Sequence, residues 1–351
     1  DGEVTLMSQS EHYAPPPTLT PTVTPEPDPQ GSDEWEPGTS LLDQPEEVFV
    51  SDGYLYVTAA NSNNLLILNL DDPSSPSYVA QYKPGTGTLE DPEGLYVSGD
   101  YAYIVGNNSH NLVIVDVSDP MQPSKEAELT STHISYPRDV FVSDGYAYIT
   151  CGWSDNLVVV DVNDPASPSY VAEYKPGTDK LNQPHKVYVE GDYAYITGNL
   201  SGTIVSLDIS NPSQPVEKMV YEREDFEHRT GYPRGIFAED GYVYVAGESY
   251  NYILVLEIGE EGSLSEADYI QSFGQPIIGP SDIFVQGNLA YVVCEDSENL
   301  LIYDVSNPYN ISLTAIYDLG DYITARGIFV ANGYAYISGW WSDTLITVDI
   351  F

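Results

Sequence analysis

Four short runs between residues 137 and 183 decide how this chain folds: Val140-Phe141-Val142, Tyr146-Ala147-Tyr148-Ile149-Thr150, Leu157-Val158-Val159-Val160-Asp161 and Tyr170-Val171-Ala172-Glu173-Tyr174. They are rich in Val, Ile and Tyr, and Gly, Asp, Asn and Pro separate them, as in strands joined by turns. None has the apolar spacing of an amphipathic helix. The stretch therefore predicts four consecutive β-strands.

The same unit recurs along the chain, in copies that open at Pro45, Pro92, Pro137, Pro184, Pro233, Pro280 and Ala325. A four-stranded repeat of this length is typical of a propeller blade, because a single sheet cannot bury both of its faces alone. We therefore predict an all-β fold over residues 45–351, a seven-bladed β-propeller of four-stranded antiparallel blades.

The first turn of every copy supports this prediction. The central pairs are Asp52-Gly53, Gly99-Asp100, Asp144-Gly145, Gly191-Asp192, Asp240-Gly241, Gly287-Asn288 and Asn332-Gly333. Two-residue hairpins need positive φ at one or both central residues, and Gly, Asn and Asp tolerate it best. Seven hairpins are predicted, one in each copy.

The third strand of the unit carries a family resemblance. Leu112-Val113-Ile114-Val115-Asp116 resembles the motif of the LVIVD-repeat proteins, and residues 157–161, 65–69, 300–304 and 345–349 are close variants. The resemblance covers residues 45–351. The resemblance implies a propeller that is exported to the cell surface or beyond, and it implies no enzymatic activity. The propeller fold alone does not define a function.

Composition excludes several partners. The 54 acidic and 11 basic residues give a formal net charge of −43, which would repel nucleic acids and anionic membranes. Salt or weakly bound divalent cations would relieve the self-repulsion, and a saline exterior fits this balance. No run is long enough to span a membrane. We expect no cofactor beyond such weak cation binding.

Metal and disulfide sites are not expected. The five His are scattered without the spacing of metal ligands. Cys151 and Cys294 occupy the same position in copies three and six, where other copies have Ala or Gly. Blades three apart lie too far from each other for a disulfide. Two free, buried thiols are therefore expected.

The last copy has three strands, so its outer edge at Leu345, Ile346, Thr347, Val348 and Asp349 needs a partner. Residues 1–12 contain a candidate strand around Val4, Thr5, Leu6 and Met7, and residues 13–44 form a Pro/Thr-rich extended linker. The N-terminal strand is predicted to complete the last blade. Because the linker is longer than self-closure needs, we predict donation of that strand to a neighbouring copy, which gives a head-to-tail filament.

Self-closure is the alternative. In that case the protein is a cell-surface propeller that binds a carbohydrate or protein ligand as an adhesion or recognition module. Both hypotheses describe a secreted, non-enzymatic protein, whose partners are copies of itself or surface glycans and proteins.

Residues that open the inner strands should ring one mouth of the central channel. The second position of the copies holds Glu46, Glu93, Arg138, His185, Arg234, Ser281 and Arg326. A candidate ligand ring of Arg138, His185, Arg234 and Arg326 would suit anions, since Arg forks fit carboxylates. The alternative is a ring of ion pairs between adjacent blades. An enzyme that uses Glu46, Glu93 and His185 is a third interpretation.

The turns between second and third strands supply candidate contact aromatics, Trp153, Trp340 and Trp341, accompanied by Asp155 and Asp343. Exposed Trp beside Asp suits sugars, but Trp also packs between blades or anchors protein contacts. Three sequons, at Asn107, Asn199 and Asn310, are candidate glycosylation sites.

Overall fold

The structure, a computed structural model, describes residues 33–35, 41–223, 231–272 and 276–350. The strands through blade two are β1 (Asp33–Trp35), β2 (Pro45–Ser51), β3 (Tyr54–Ala59), β4 (Asn64–Asn69), β5 (Ser77–Tyr82), β6 (Pro92–Ser98), β7 (Tyr101–Gly106), β8 (Asn111–Asp116) and β9 (Ser124–Thr130). Blades three and four comprise β10 (Pro137–Ser143), β11 (Tyr146–Cys151), β12 (Asn156–Asp161), β13 (Ser169–Tyr174), β14 (Pro184–Glu190), β15 (Tyr193–Gly198), β16 (Thr203–Asp208) and β17 (Val216–Glu222). Blades five to seven comprise β18 (Pro233–Glu239), β19 (Tyr242–Gly247), β20 (Tyr252–Ile258), β21 (Leu264–Gln271), β22 (Pro280–Gln286), β23 (Leu289–Cys294), β24 (Asn299–Asp304), β25 (Ser312–Asp318), β26 (Ala325–Ala331), β27 (Tyr334–Gly339) and β28 (Thr344–Asp349).

These strands form seven four-stranded antiparallel sheets, and the inner strand of each sheet contacts the inner strands of both neighbouring sheets. The contact of β26 with β2 closes the ring. The predicted seven-bladed propeller is therefore confirmed. A 3₁₀ turn at Glu260–Gly262 lies between β20 and β21.

The first hairpin of each blade has the predicted turn geometry. Asp144 and Gly145 have φ of 49° and 77°, and the Asp-Gly or Asn-Gly pairs of blades one, five and seven repeat this geometry. In blades two, four and six the leading glycine alone is positive, for example Gly99 at 55°. Two types of tight turn therefore connect the first and second strands of the blades.

The third strand of each blade is buried on both faces, which explains its uninterrupted apolar motif. Leu112 and Ile114 pack against blade three, whereas Val113 and Val115 pack against blade one. Successive side chains of a strand point to opposite faces. One motif therefore supplies two inter-blade cores.

An aromatic belt lines the channel, with one ring from the fifth position of every copy. Neighbouring ring centroids lie 4.5–5.0 Å apart around the whole circle. Its members are Phe49, Tyr96, Phe141, Tyr188, Phe237, Phe284 and Phe329. Since Phe329 packs on Phe49, the inner strands close the ring without help from the outer edge.

Hydroxyl groups join the inner strands of adjacent blades. Thr58 Oγ1 accepts the Glu47 N–H at 3.1 Å and donates to the Glu93 carbonyl at 2.9 Å. Thr150 and Thr197 repeat the arrangement. Ser338 carries it across the closure from blade seven to blade one, with its Oγ 2.6 Å from the carbonyl oxygen of Glu46.

The outer edge of blade seven is paired within the same chain. β1 runs antiparallel to β28, with Trp35 opposite Leu345 and Asp33 opposite Thr347. This corrects the prediction that residues 13–44 are linker throughout. The predicted donor strand at residues 4–7 lies outside the described residues, and three of its five predicted acceptor residues pair with β1.

A motif that the sequence analysis overlooked explains this pairing. Trp35-Glu36-Pro37-Gly38-Thr39 resembles Tyr82-Lys83-Pro84-Gly85-Thr86 and Tyr174-Lys175-Pro176-Gly177-Thr178, and each begins ten residues before the proline that opens the next blade. Tyr82 and Tyr174 end the outer strands of blades one and three, opposite Leu65 and Leu157. Trp35 therefore takes the place of these tyrosines in blade seven.

Cys151 and Cys294 are free and buried, and burial raises the pKa of each thiol to about 12. They serve as small apolar residues, as predicted. No helix in the described part of the chain is long and apolar enough to cross a membrane.

Candidate functional site

The predicted ligand ring and the Trp-bearing turns lie at the same end of the channel, here called the channel mouth. The first residue of an inner strand pairs with the last residue of the second strand, as Pro137 does with Cys151 and Ala325 with Gly339. Antiparallel pairing therefore brings the start of one strand beside the turn that ends the next.

The third position of the copies fills the channel with a central ionic cluster of Glu47, Asp139, Lys186 and Asp282. Lys186 Nζ donates to Glu47 Oε2 at 2.5 Å and to Asp282 Oδ2 at 3.3 Å. These contacts join blade four to blades one and six. Asp139 Oδ2 instead accepts the backbone N–H of Val187 at 2.9 Å.

Glycines at the same position of other copies make room for the cluster. A Cβ on Gly94 would lie 2.5 Å from Asp139 Cα, and a Cβ on Gly235 would lie 2.7 Å from Asp282 Cα. Such approaches are open only to glycine. The inner strands can therefore converge around three carboxyl groups and one ammonium group.

Burial raises the pKa of Glu47 and of Asp139, and the charge of Lys186 opposes both shifts. Burial by itself would lower the pKa of Lys186, but Asp282, Glu47 and Asp139 together raise it. Lys186 therefore keeps its proton. Two of the three carboxyl groups therefore pair with Lys186 and the third accepts a backbone N–H, which leaves few polar groups of the cluster to bind a ligand.

The three arginines of the predicted ligand ring already have carboxylate partners. Arg138 lies 3.2 Å from Glu93, and Arg234 lies 2.8 Å from Glu295. Arg326 also reaches Glu295, at 3.4 Å. Each of these pairs joins neighbouring blades, which is the arrangement that the ion-pair interpretation predicts. The three arginines are therefore less available to an anionic ligand.

His185, the fourth member of the ring, is neutral in this setting. Burial lowers its pKa, and the charges of Arg234, Arg138 and Lys186 lower it further. Its Nδ1 atom is buried and has no hydrogen-bond partner among the described residues. No group of three or more His, Cys, Asp or Glu residues in the described ranges could hold a metal ion.

A cavity of about 540 Å³ opens at the channel mouth over blades seven, one and two. Its volume lies within the roughly 300–1,000 Å³ of small-ligand sites. The lining is polar and carries one aromatic wall: Gln44, Glu46, Ala60, Asn61, Asn63, Glu90, Asp91, Glu93, Asn108, Arg138, Arg326 and Trp340. We call it the mouth cavity.

Two donors of the mouth cavity are buried, and they differ in their partners. Arg326 Nε has no hydrogen-bond acceptor among the described residues. Trp340 Nε1 makes no hydrogen bond of good geometry, but it interacts with the nearby Glu46 carboxyl. The Arg326 guanidinium lies over the Trp340 ring, 4.8 Å from its centroid. Because an unpaired buried donor is costly, this corner favours a ligand that brings an acceptor.

Two acids of the same cavity bind protons unusually tightly. Burial raises the pKa of Glu46 to about 7, against the opposing charge of Arg234. Burial likewise raises the pKa of Glu93 to about 8, although Arg138 opposes the shift. Near neutral pH these carboxyls are therefore partly protonated and can donate as well as accept hydrogen bonds.

The candidate contact aromatics differ in exposure. Trp153 and Trp341 are 73% and 66% exposed, whereas Trp340 is half-buried in the cavity wall. The rings of Trp340 and Trp341 lie 5.6 Å apart. Their acidic neighbours have a structural role, since Asp155 and Asp343 accept the backbone N–H groups of Gln183 and Gln44 in the next blade.

The three sequons lie in different environments. Asn107 is buried, and its Nδ2 donates to the Pro137 carbonyl at 3.1 Å, so a glycan on this nitrogen would break that bond. Asn199 is half-buried, and Asn310 is exposed in a turn. Asn310 is the sequon that the fold leaves accessible.

The amides of the mouth cavity were not among the residues predicted from the sequence. Asn61 and Asn63 follow the second strand of blade one, and Asn108 follows that of blade two. Asn63 Oδ1 accepts the Asp91 N–H at 2.8 Å, and Asn108 Nδ2 donates to the Asp91 carboxylate at 3.0 Å. These amides occupy the second turn of adjacent copies, and that shared position could have indicated from the sequence that they lie together.

Fold and mouth together define a propeller with a charged, partly plugged channel. Six segments, 45–83, 91–128, 136–175, 184–223, 280–319 and 324–350, match the LVIVD repeat family model. They make up well over half of the chain, so the chain belongs to the LVIVD repeat family. The matched segments leave out blade five, where Glu257 stands in place of the terminal Asp of the motif.

Solved structures of similar fold include enzymes. Virginiamycin B lyase from Staphylococcus aureus is 14% identical, with a TM-score of 0.71 over 92% of this chain and 99% of that chain. A putative 6-phosphogluconolactonase from Bacteroides fragilis is 12% identical, with a TM-score of 0.66 over 78% of this chain and 84% of that chain. The periplasmic gluconolactonase of Pseudomonas aeruginosa is 13% identical, with a TM-score of 0.65 over 79% of this chain and 86% of that chain. At such identity the likeness concerns the fold alone. No curated protein sequence matches the chain.

Proposed function

We propose that this protein is an extracellular, non-enzymatic recognition module that binds the hydroxyl-bearing end of a surface glycan in its mouth cavity. The LVIVD repeats and the propeller fold fit a surface or interaction module. A polar cavity with one Trp wall and several amides suits a sugar, which has polar edges and an apolar face.

The observation that carries the proposal is the buried Arg326 Nε donor, which has no acceptor among the described residues and lies beside the Trp340 wall, whose own N–H is held only by the Glu46 carboxyl. A sugar hydroxyl or ring oxygen would accept from Arg326 and could share the Trp340 N–H. An ammonium or guanidinium group would not, because it has no acceptor. The net charge of −43 disfavours acidic ligands.

Calorimetric titration with neutral mono- and disaccharides tests this proposal, with Trp340→Phe as the informative variant. Phenylalanine keeps the aromatic wall but removes the N–H, so binding should weaken about tenfold. Trp341→Phe is the matched control, because the neighbouring ring is exposed, and it should bind like the wild type. Failure of every neutral sugar to bind, or equal binding by the Trp340→Phe variant, would overturn the proposal.

The non-enzymatic part of the proposal has its own test. Raised carboxyl pKa values in a cavity also occur in catalytic sites, and two of the similar structures are named as lactonases. We expect no opening of gluconolactone above the uncatalysed rate in a pH-stat assay. Turnover that disappears in Glu46→Gln would show an enzyme instead.

Filament formation by donation of residues 4–7 stays a prediction. The pairing of β1 with Leu345, Ile346 and Thr347 favours self-closure, since a donated strand would have to displace β1. Light scattering of the intact chain and of a chain lacking residues 1–12 tests the point. Monomers in both samples at high concentration would end the filament hypothesis, whereas polymers that need residues 1–12 would revive it.

A further inference from the structure

A second aromatic surface borders the mouth cavity on its blade-three side. Tyr136 and Trp153 have ring centroids 5.6 Å apart, and His110 packs edge-on to Tyr136 at 4.3 Å. Trp153 is 73% exposed and Tyr136 is 38% exposed. We call these three residues the aromatic platform.

The platform is held in place by its backbone. The Tyr136 N–H donates to His110 Nδ1 at 2.9 Å, and the Gly152 N–H donates to the Tyr136 carbonyl at 2.9 Å. Tyr136 itself has a φ of 49°, an unusual conformation for an aromatic residue. Exposed rings fixed in this way offer contact area at little cost in conformational entropy.

Cavity and platform are continuous through two residues. Arg138, which lines the cavity, packs against Gly152, where a Cβ would lie 3.0 Å from Arg138 Nε. Gly152 immediately precedes Trp153. On the other side, His110 belongs to the same turn as Asn108, another lining residue. The channel mouth thus presents a polar cavity followed by exposed aromatic rings.

The mouth cavity and the aromatic platform lie side by side, like consecutive subsites for the units of a chain-like ligand. The cavity offers the unpaired Arg326 Nε donor, the Trp340 N–H and amides for hydroxyl groups, and the platform offers flat rings for the C–H faces of further sugar units. The three arginines near the mouth are paired with Glu93 and Glu295, so none of the three is free to bind a uronic acid.

We propose that the ligand is a neutral oligosaccharide whose end unit enters the mouth cavity while its following units stack on the aromatic platform. This inference rests on the proposed function and adds to it the class of ligand and a direction of binding, from blade seven across blades one and two to blade three.

A length series separates the two proposals. Neutral cello-, xylo- and chito-oligosaccharides of increasing length are titrated against the wild type, Trp340→Phe and Trp153→Ala. Affinity should rise with length in at least one series. Trp153→Ala should weaken the longer members about fivefold to tenfold and leave the shortest unchanged, whereas Trp340→Phe should weaken all of them.

Met121→Ala is the matched control for Trp153→Ala. Met121 is also 73% exposed, but it lies between β8 and β9, at the opposite end of the blade. This variant should bind every member of the series like the wild type.

The outcomes that overturn the inference are distinct from those that overturn the proposed function. If short sugars bind through Trp340 and affinity does not rise with length, the aromatic platform is not a subsite, although the mouth cavity still is. The same conclusion follows if affinity rises with length equally in Trp153→Ala. Equal binding of oligogalacturonate would remove the preference for neutral chains. Binding of oligolysine without competition from any sugar would point to a basic peptide and remove both proposals.

Discussion

Adjacent positions of the same inner strands have opposite roles at the channel mouth. Position three supplies the central ionic cluster, in which Lys186 and its carboxyl partners satisfy one another across the ring. Position two supplies Glu46, Arg326 and their neighbours, which line the mouth cavity. The inner strands are irregular at these positions, as between Pro137 and Asp139, so simple alternation of side chains does not separate the two roles. Even so, one residue along the strand separates closure of the channel from exposure to a ligand.

Charge therefore stabilises the fold at position three and is available for binding at position two. The charges of the central ionic cluster are desolvated, so removal of any one of them leaves its partners buried without compensation. Charges at the rim are paired with a neighbour or partly protonated. Three substitutions test this division, beginning with the largest expected effect.

Replacement of Lys186 by Met should destabilise the fold most. It leaves Glu47, Asp139 and Asp282 buried without their cation, and loss of one partner of a buried ion pair costs about 3–5 kcal/mol. Urea unfolding followed by tryptophan fluorescence measures the change. Lys125→Met is the control, since the Lys125–Glu128 pair lies on the surface and should cost less than about 0.5 kcal/mol. Equal effects of the two variants would contradict the role of the cluster.

Replacement of Gly94 by Ala should have the next largest effect. The added methyl group would overlap the backbone of Asp139, so the inner strands of blades two and three must separate, at a cost of about 2 kcal/mol. Gly85→Ala is the control, because its Cβ would meet nothing within 4 Å. If Gly94→Ala unfolds at the wild-type urea concentration, the inner strands do not need this close approach.

The third prediction concerns the pH dependence of position two. The pKa of Glu93 is about 8 in the folded chain and 4.5 in its reference state, so the folded protein binds the proton more tightly. The resulting stability is present below pH 4.5 and is lost as the pH rises towards 8. Relative to Glu93→Gln, the wild type should therefore lose unfolding free energy steadily across that window. If the unfolding free energies of the wild type and of Glu93→Gln change with pH in the same way, Glu93 is not desolvated.

Local patterns in the sequence were sufficient for the blades. The alternation of turn pairs and apolar runs predicted each hairpin, because strand and turn preferences act within a few residues. The belt at the fifth position of every copy was equally readable, as was the resemblance of Trp35-Glu36-Pro37-Gly38-Thr39 to the ends of other outer strands. The prediction of residues 4–7 as the closing strand gave linker length more weight than that motif, and it stays a prediction, since those residues lie outside the described ones.

The candidate site could be predicted only in part. The second positions and the Trp turns lie at the same mouth, which follows from the antiparallel pairing of the predicted strands. Which charges cancel could not be predicted, because Lys186 meets Glu47 across the ring rather than along the chain. The amides of Asn61 and Asn108 gained interest only when two blades placed them in one cavity.

By itself, the sequence determined a ring of seven blades, its acidic surface and the residues available at the mouth, since repeats and turns are encoded locally. The tertiary structure decided that β1 of the same chain pairs with the outer edge of blade seven, that Lys186 joins blades across the channel, and that Arg326 keeps an unpaired donor beside Trp340 in a cavity. Those outcomes depend on which distant side chains share a desolvated space, and burial, rather than residue type, sets the energy of a charge or a hydrogen bond there.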